Sequence, residues 1–97
     1  MGYPKYIVVE HGSGTEEAFI VPSWRYHGEG KPYPNAKVVG AGEFYFDITE
    51  EKFAYEINQR IAACCFGESV SLEVKSRGET DARLIDQLLK IGKYKDQ

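Results

Sequence analysis

One stretch near the first third of the chain limits what it can fold into. Residues 25–36 read Arg-Tyr-His-Gly-Glu-Gly-Lys-Pro-Tyr-Pro-Asn-Ala. Two glycines and two prolines at this density exclude a regular element. The core must therefore come from a block before the break and a block after it. Loops of this length in small domains are usually functional or disordered, and the aromatic content here argues against disorder.

Before the break, residues 5–11 place Tyr6, Ile7, Val8 and Val9 in a row, a strand signal. Gly12-Ser13-Gly14-Thr15 is turn chemistry. Residues 16–24 carry a second apolar run, Ala18-Phe19-Ile20-Val21, so the pair reads as a β-hairpin. After the break, residues 37–47 read as a third strand interrupted by Gly40 and Gly42, positions that suggest a bulge or close backbone approach.

Phe53, Ile57 and Ile61 then recur at steps of four, which predicts a helix over residues 50–62. Thr49 or Asp47 can cap it, Glu50 and Glu51 suit its first turn, and Glu56 can pair with Arg60. Residues 62–66 read equally as a helix end or a short strand. Over residues 69–75, Val70, Leu72 and Val74 alternate with Ser71, Glu73 and Lys75, a half-exposed antiparallel strand pattern. Ser76 and Glu79 match a capping box. Leu84, Ile85, Leu88 and Leu89 form a helical stripe beyond it. Glu79–Arg83 and Asp86–Lys90 are one-turn pairs, Gly92 fits the stop, and residues 93–97 fray.

The expected fold is α+β: one small domain over residues 1–97. It has a mostly antiparallel sheet of about four strands and two helices on one face, in the order β-β-β-α-β-α. The free sheet face or an edge strand, near Tyr45, Ser71 and Glu73, is then available for a homodimer.

A chain of 97 residues has a small core, which argues against a deep cleft. The formal net charge of −3 argues against nucleic acid, whose phosphates call for a basic excess. It suits a basic partner surface. Cys64 and Cys65 are adjacent and suggest no disulfide framework, hence a reducing, cytoplasmic setting. No signal peptide and no apolar run long enough for a bilayer is expected.

Residues 66–81, Phe-Gly-Glu-Ser-Val-Ser-Leu-Glu-Val-Lys-Ser-Arg-Gly-Glu-Thr-Asp, resemble a run found in small uncharacterised proteins of tailed phages and prophages. The shared pattern is aromatic-Gly-Glu-Ser, an alternating apolar strand, Ser-Arg, and an acidic helix start. A segment from Pro22 to His27 is loosely similar. The chain departs at Gly78, where proline is common, and over residues 50–63. The resemblance implies phage origin and, by class analogy, an accessory factor that binds a host protein. It implies no chemistry.

Trp24, Arg25, Tyr26, His27, Lys31 and Tyr33 are the candidate partner-binding residues, because Trp, Tyr and Arg dominate interface hot spots. The competing reading folds Trp24 and Tyr33 back onto the core. Tyr26, Tyr33, Arg25, His27 and Lys31 could also stack bases, a reading the acidic balance opposes. Glu10, His11 and His27 offer general-base chemistry to a small enzyme or ligand-binding protein. Ser13 lacks a nucleophile elbow. His11, His27, Cys64 and Cys65 lack zinc-ligand spacing, so neither metal nor cofactor is expected. The Glu68 turn with Ser76 and Arg77 reads as turn and cap, with Arg77 within possible reach of Glu68. The leading expectation is a non-enzymatic binding protein. A virion or assembly component is a further alternative.

Overall fold

A computed structural model of the chain describes residues 2–53, 56–92 and 94–95. The elements are β1 (Lys5–Glu10), β2 (Glu16–Val21), a 3-10 turn (His27–Gly30), β3 (Lys37–Phe53), β4 (Glu56–Phe66), β5 (Glu68–Ser69), β6 (Val74–Lys75), α1 (Glu79–Leu89) and β7 (Tyr94–Lys95). The class is α+β with an antiparallel sheet. Its order is β2-β1-β3-β4-β7, and β5-β6 forms a separate small hairpin. Among the described residues there is one α-helix, not two.

The first hairpin forms as the sequence predicts, with Lys5 opposite Val21 and Glu10 opposite Glu16. Gly14 takes φ 86, which a side chain resists. Of the bulge or close approach expected at Gly40 and Gly42, both occur: a bulge forms beside Gly40, where Val8 pairs with Gly40, Val9 with Val38, and Val39 is the extra residue, and a Cβ on either glycine would overlap a neighbour.

The predicted helix over residues 50–62 is instead the far half of a long hairpin. β3 runs on to Phe53, and β4 pairs with it from Phe53–Glu56 to Glu43–Phe66. Ala54 and Tyr55 lie outside the described residues. The physical reason is parity: a step of four is also a multiple of two. Phe53, Ile57 and Ile61 therefore fit a strand as well as a helix. β-branched and aromatic residues from Phe44 to Thr49 tip the segment toward the sheet. Residues 62–66 are strand.

The alternation over residues 69–75 is not one strand. β5 and β6 pair Ser69 with Val74, and residues 70–73 form the turn between them. Glu73 adopts φ 55 there. Ser71 and Glu73 are turn residues, not part of a free sheet face.

β1 is buried on both sides, which explains its unbroken apolar run. Tyr6 and Val8 pack with Ala18, Phe44, Ala63, Ala82 and Ile85 under α1. Ile7 and Val9 pack with Ala36 and Ala41, joined by Phe19, Val38, Leu72 and Val74. The face away from α1 is therefore covered along β1 by the loop after β2 and by the β5-β6 hairpin. The outer half of the β3-β4 hairpin projects beyond this cover. The radius of gyration is 15.0 Å, against about 12.5 Å for a compact chain of this length.

α1 is held by a buried clasp. Asp81 is fully buried. Its Oδ2 accepts from the Tyr6 hydroxyl at 2.6 Å and from the Arg77 backbone N–H at 2.8 Å. Its Oδ1 accepts from Arg77 Nε at 2.7 Å. The Arg77 guanidinium also donates to both carboxylate oxygens of Glu16, at 3.1 and 2.8 Å. Arg77 thus meets Glu16 and Asp81 rather than Glu68. Ser76 is not the N-cap: Gly78 is, and Ser76 Oγ accepts from the Gly78 N–H at 3.1 Å. A Cβ on Gly40 would overlap the Asp81 carboxylate, so glycine lets the strand pass the clasp.

Of the two helix pairs, Glu79–Arg83 forms at 2.9 Å. Asp86 turns to the sheet instead, where its Oδ1 accepts from the Ala63 N–H at 2.7 Å. In the expected stripe, Ile85 is buried and Leu84 half-buried, whereas Leu88 and Leu89 are exposed. α1 ends at Lys90 in the left-handed region, and the Gly92 N–H donates to the Ile61 carbonyl at 2.6 Å. Within the tail expected to fray, Tyr94 and Lys95 pair with Arg60 and Gln59. Residues 93, 96 and 97 lie outside the described residues.

Candidate functional site: the aromatic loop

The loop after β2 is irregular in sequence but fixed at several points. Successive short turns close it: Arg25 N–H to the Pro22 carbonyl at 3.0 Å, Glu29 N–H to Tyr26 at 3.0 Å, Lys31 N–H to Gly28 at 3.3 Å and Ala36 N–H to Tyr33 at 3.1 Å. The turn at His27–Gly30 is a regular, if short, element in a stretch where none was expected. Gly30 lies against Val21 and Ile7 so closely that a Cβ would overlap Val21.

Two long-range bonds pin the loop to the sheet. His27 is 8% exposed, and its Nε2 sits 2.9 Å from the Gly42 carbonyl, in the geometry of an N–H donor. Lys5 Nζ donates to the Arg25 carbonyl at 2.7 Å. His27 is thus a strut beneath the loop, not part of its outer surface.

Above that strut the side chains point outward. Trp24 is 81% exposed and Tyr26 73%. Trp24 does not fold back onto the core. Arg25 reaches Glu29 at 3.2 Å in an exposed pair, a contact worth little in water. Lys31 is half-buried. Tyr33 is turned away toward the first hairpin, where its hydroxyl lies 3.1 Å from His11 Nδ1. The structure thus groups Trp24, Arg25 and Tyr26 at an outer tip. It sets His27 below them and Tyr33 to the side.

The residues considered for acid–base chemistry do not share a site. His11 sits between Tyr33 and Glu17, its Nε2 2.9 Å from Glu17 Oε1. Glu10 pairs with Lys37 at 3.2 Å, and His27 is committed to Gly42. No group of three or more His, Cys, Asp and Glu among the described residues could hold a metal. No helix of the described residues is long and apolar enough to cross a membrane.

Two open grooves flank α1, away from the loop. One, of about 200 Å³, is lined by Glu16, Glu17, Ala18, Leu84, Gln87 and Leu88. The other, of about 260 Å³, is lined by Ala63, Cys64, Cys65, Gly78, Glu79 and Ala82. Cys64 and Cys65 are free thiols on opposite faces of β4. Burial pushes the Cys65 thiol up to about 12, so it stays protonated near neutral pH and is a poor nucleophile.

A second aromatic group escaped the sequence reading. Tyr3, Tyr45 and Phe66 form a triangle of ring contacts, with centroids 5.9, 5.3 and 6.0 Å apart. It lies on the sheet face away from α1. Phe66 joins it only through the register Glu43–Phe66, invisible while β4 is read as helix. Tyr3 gave no signal in a short polar N-terminal segment.

The run that carries the phage resemblance has a structural role here: Ser76, Arg77 and Asp81 build the clasp. Gly78 takes φ 60 and ψ −120, a conformation closed to proline. No protein-family model matches the chain, and no curated protein or solved structure shows significant similarity to it.

Proposed function

We propose that the protein is a non-enzymatic accessory factor, phage-encoded and active in the host cytoplasm, that binds a host macromolecule through Trp24, Arg25 and Tyr26. The observation that carries this reading is the exposure of Trp24 and Tyr26 on a backbone pinned by His27–Gly42 and Lys5–Arg25. Large aromatic side chains left in water oppose the hydrophobic effect, and a partner that covers them recovers it. A pre-shaped loop loses little entropy on docking, so more of the contact energy appears as affinity. The phage origin rests on the resemblance of residues 66–81 alone. The net charge of −3 favours a basic partner surface over nucleic acid.

The test is capture from bacterial lysate by the wild type and by an Arg25→Ala/Tyr26→Ala variant, read by mass spectrometry. A single protein held by the wild type and lost by the variant supports the reading. Equal capture by both removes the loop from it. A large symmetric oligomer in place of capture would favour an assembly role.

A further inference from the structure

The two aromatic groups share one face of the sheet. Lys5 stands opposite Glu43, and Glu43 opposite Phe66, so the three form one row across β1, β3 and β4. Strand alternation puts this row on the side of Ile7 and Ala41, away from α1. At one end Lys5 holds the loop, donating to the Arg25 carbonyl between Trp24 and Tyr26. At the other end Phe66 belongs to the triangle with Tyr3 and Tyr45. The loop tip and the triangle are therefore two parts of one surface, with Lys5 and Glu43 between them.

Size and hydrogen-bonding character narrow what covers it. Tyr3, Tyr45 and Phe66 are 53%, 46% and 37% exposed. At about 200 Å² per aromatic side chain, these three with Trp24 and Tyr26 leave roughly 600 Å² in water. That is at the top of the range for an apolar patch on a monomer and below the about 800 Å² a globular partner covers. The Trp24 indole N–H and the Tyr3 and Tyr26 hydroxyls meet no protein acceptor among the described residues, whereas the Tyr45 hydroxyl is bonded to Cys64. Open donors on aromatic rings suit a ligand rich in carbonyls and poor in N–H groups. Proline-rich chain has that character: proline lacks an N–H, and polyproline II makes no internal hydrogen bonds.

The charges select a basic residue within it. Glu43 is half-buried and forms no ion pair among the described residues, and the Lys5 ammonium opposite it turns to the Arg25 carbonyl. Arg25 is paired with Glu29. Asp47, Arg60 and Glu51 share the face but lie past Tyr45, and Arg60 Nε donates to the Gly92 carbonyl. Glu68 stands opposite Lys75. Glu43 is thus the acid at the centre of the aromatic surface, which also opposes a phosphate backbone.

We propose that this face binds a proline-rich segment in the polyproline II form, with an Arg or Lys beside Glu43. Prolines pack on the exposed rings, and a ligand already in that form loses little entropy on docking. Tyr45 lies about 7 Å from Glu43 along the strand and Lys5 about 5 Å across it. Seven residues of polyproline II, about 22 Å long, cover the row and reach both aromatic groups. The proposal rests on the loop as a binding surface, adds the triangle and Glu43 to it, and names the partner's chemistry.

The experiment uses the full chain and three fluorescein-labelled heptapeptides, each read by anisotropy. One is Arg flanked by three prolines on each side, the second has alanines for the prolines, and the third has Glu for the Arg. The Arg-proline peptide is expected to bind, and the other two to bind at least about tenfold more weakly. Trp24→Ala/Tyr26→Ala and Tyr3→Ala/Tyr45→Ala should each weaken it by at least that factor. Glu43→Gln, a conservative change, should erase the preference for Arg over Glu. No binding of the Arg-proline peptide, equal binding of the alanine peptide, or an unchanged Arg preference in Glu43→Gln would overturn the proposal. So would tighter binding of oligothymidine, which would assign the face to nucleic acid. A lysate protein lost by the Trp24/Tyr26 variant but held fully by Tyr3→Ala/Tyr45→Ala would overturn it too, while leaving the loop as a binding site.

Discussion

Tyr6 on β1 and Asp81 in the first turn of α1 are joined by a 2.6 Å hydrogen bond inside the core. Burial, and then the neighbouring carboxylate, push the Tyr6 phenol far above its ordinary value. It therefore remains a proton donor to Asp81 throughout the working pH range. Tyr6→Phe should cost about 1.5–3 kcal/mol, the range for hydrogen bonds to charged groups. Asp81→Ala should cost more, because it removes at once the acceptor of the Tyr6 hydroxyl, the Arg77 Nε–H and the Arg77 backbone N–H. Urea denaturation of both variants checks the order: Asp81→Ala must be the worse.

Glu16 gives the clasp a pH dependence. Hydrogen bonds from Arg77 hold its carboxyl below the ordinary value of 4.5. A lowered folded-state value means the unfolded state binds more protons in the acid window. The stabilisation is therefore present above about 4.5 and is lost as pH falls from there toward the folded value. Glu16→Gln should flatten that part of the stability–pH curve and lower stability at neutral pH. Thermal unfolding from pH 3 to pH 7 measures both effects.

Cys65 should resist thiol reagents in the folded protein. Its thiol is pushed up from 9.0 to about 12, so iodoacetamide at pH 8 finds almost no thiolate. Mass spectrometry of the native protein should show Cys65 unmodified until denaturant is added.

Gly78 should not accept proline. Its φ of 60 is outside proline's range, and its N–H bonds to Ser76 Oγ. Gly78→Pro should cost about 1–3 kcal/mol of strain. Gly78→Ala is strained as well but keeps the N–H, so it should cost less. Chemical denaturation ranks the two.

The legible parts of the fold were those with a single solution. The Gly-Ser-Gly turn between two apolar runs reads as a hairpin, and Leu84, Ile85, Leu88 and Leu89 at helical spacing read as a helix, although only Ile85 of the four is fully buried. β4 was not legible because Phe53, Ile57 and Ile61 satisfy both periods. The β5-β6 hairpin was hidden because Val70, Leu72 and Val74 keep strand parity even though Glu73 turns the chain. At the loop, residue types flagged Trp24, Arg25 and Tyr26 together with His27, Lys31 and Tyr33, and did not separate the outer tip from the rest. Nothing local distinguished His27, which is buried only because the sheet brings the Gly42 carbonyl beneath it.

Trp24 and Tyr26 carry the proposed binding, and the direct measurement is a dissociation constant. The captured partner is titrated against the wild type and Trp24→Ala/Tyr26→Ala, with unfolding midpoints measured alongside. Both side chains stand in solvent, so the midpoint should not change. Two hot-spot aromatics lost together should weaken binding by about 3 kcal/mol or more, above a hundredfold. Unchanged affinity at an unchanged midpoint would contradict the account.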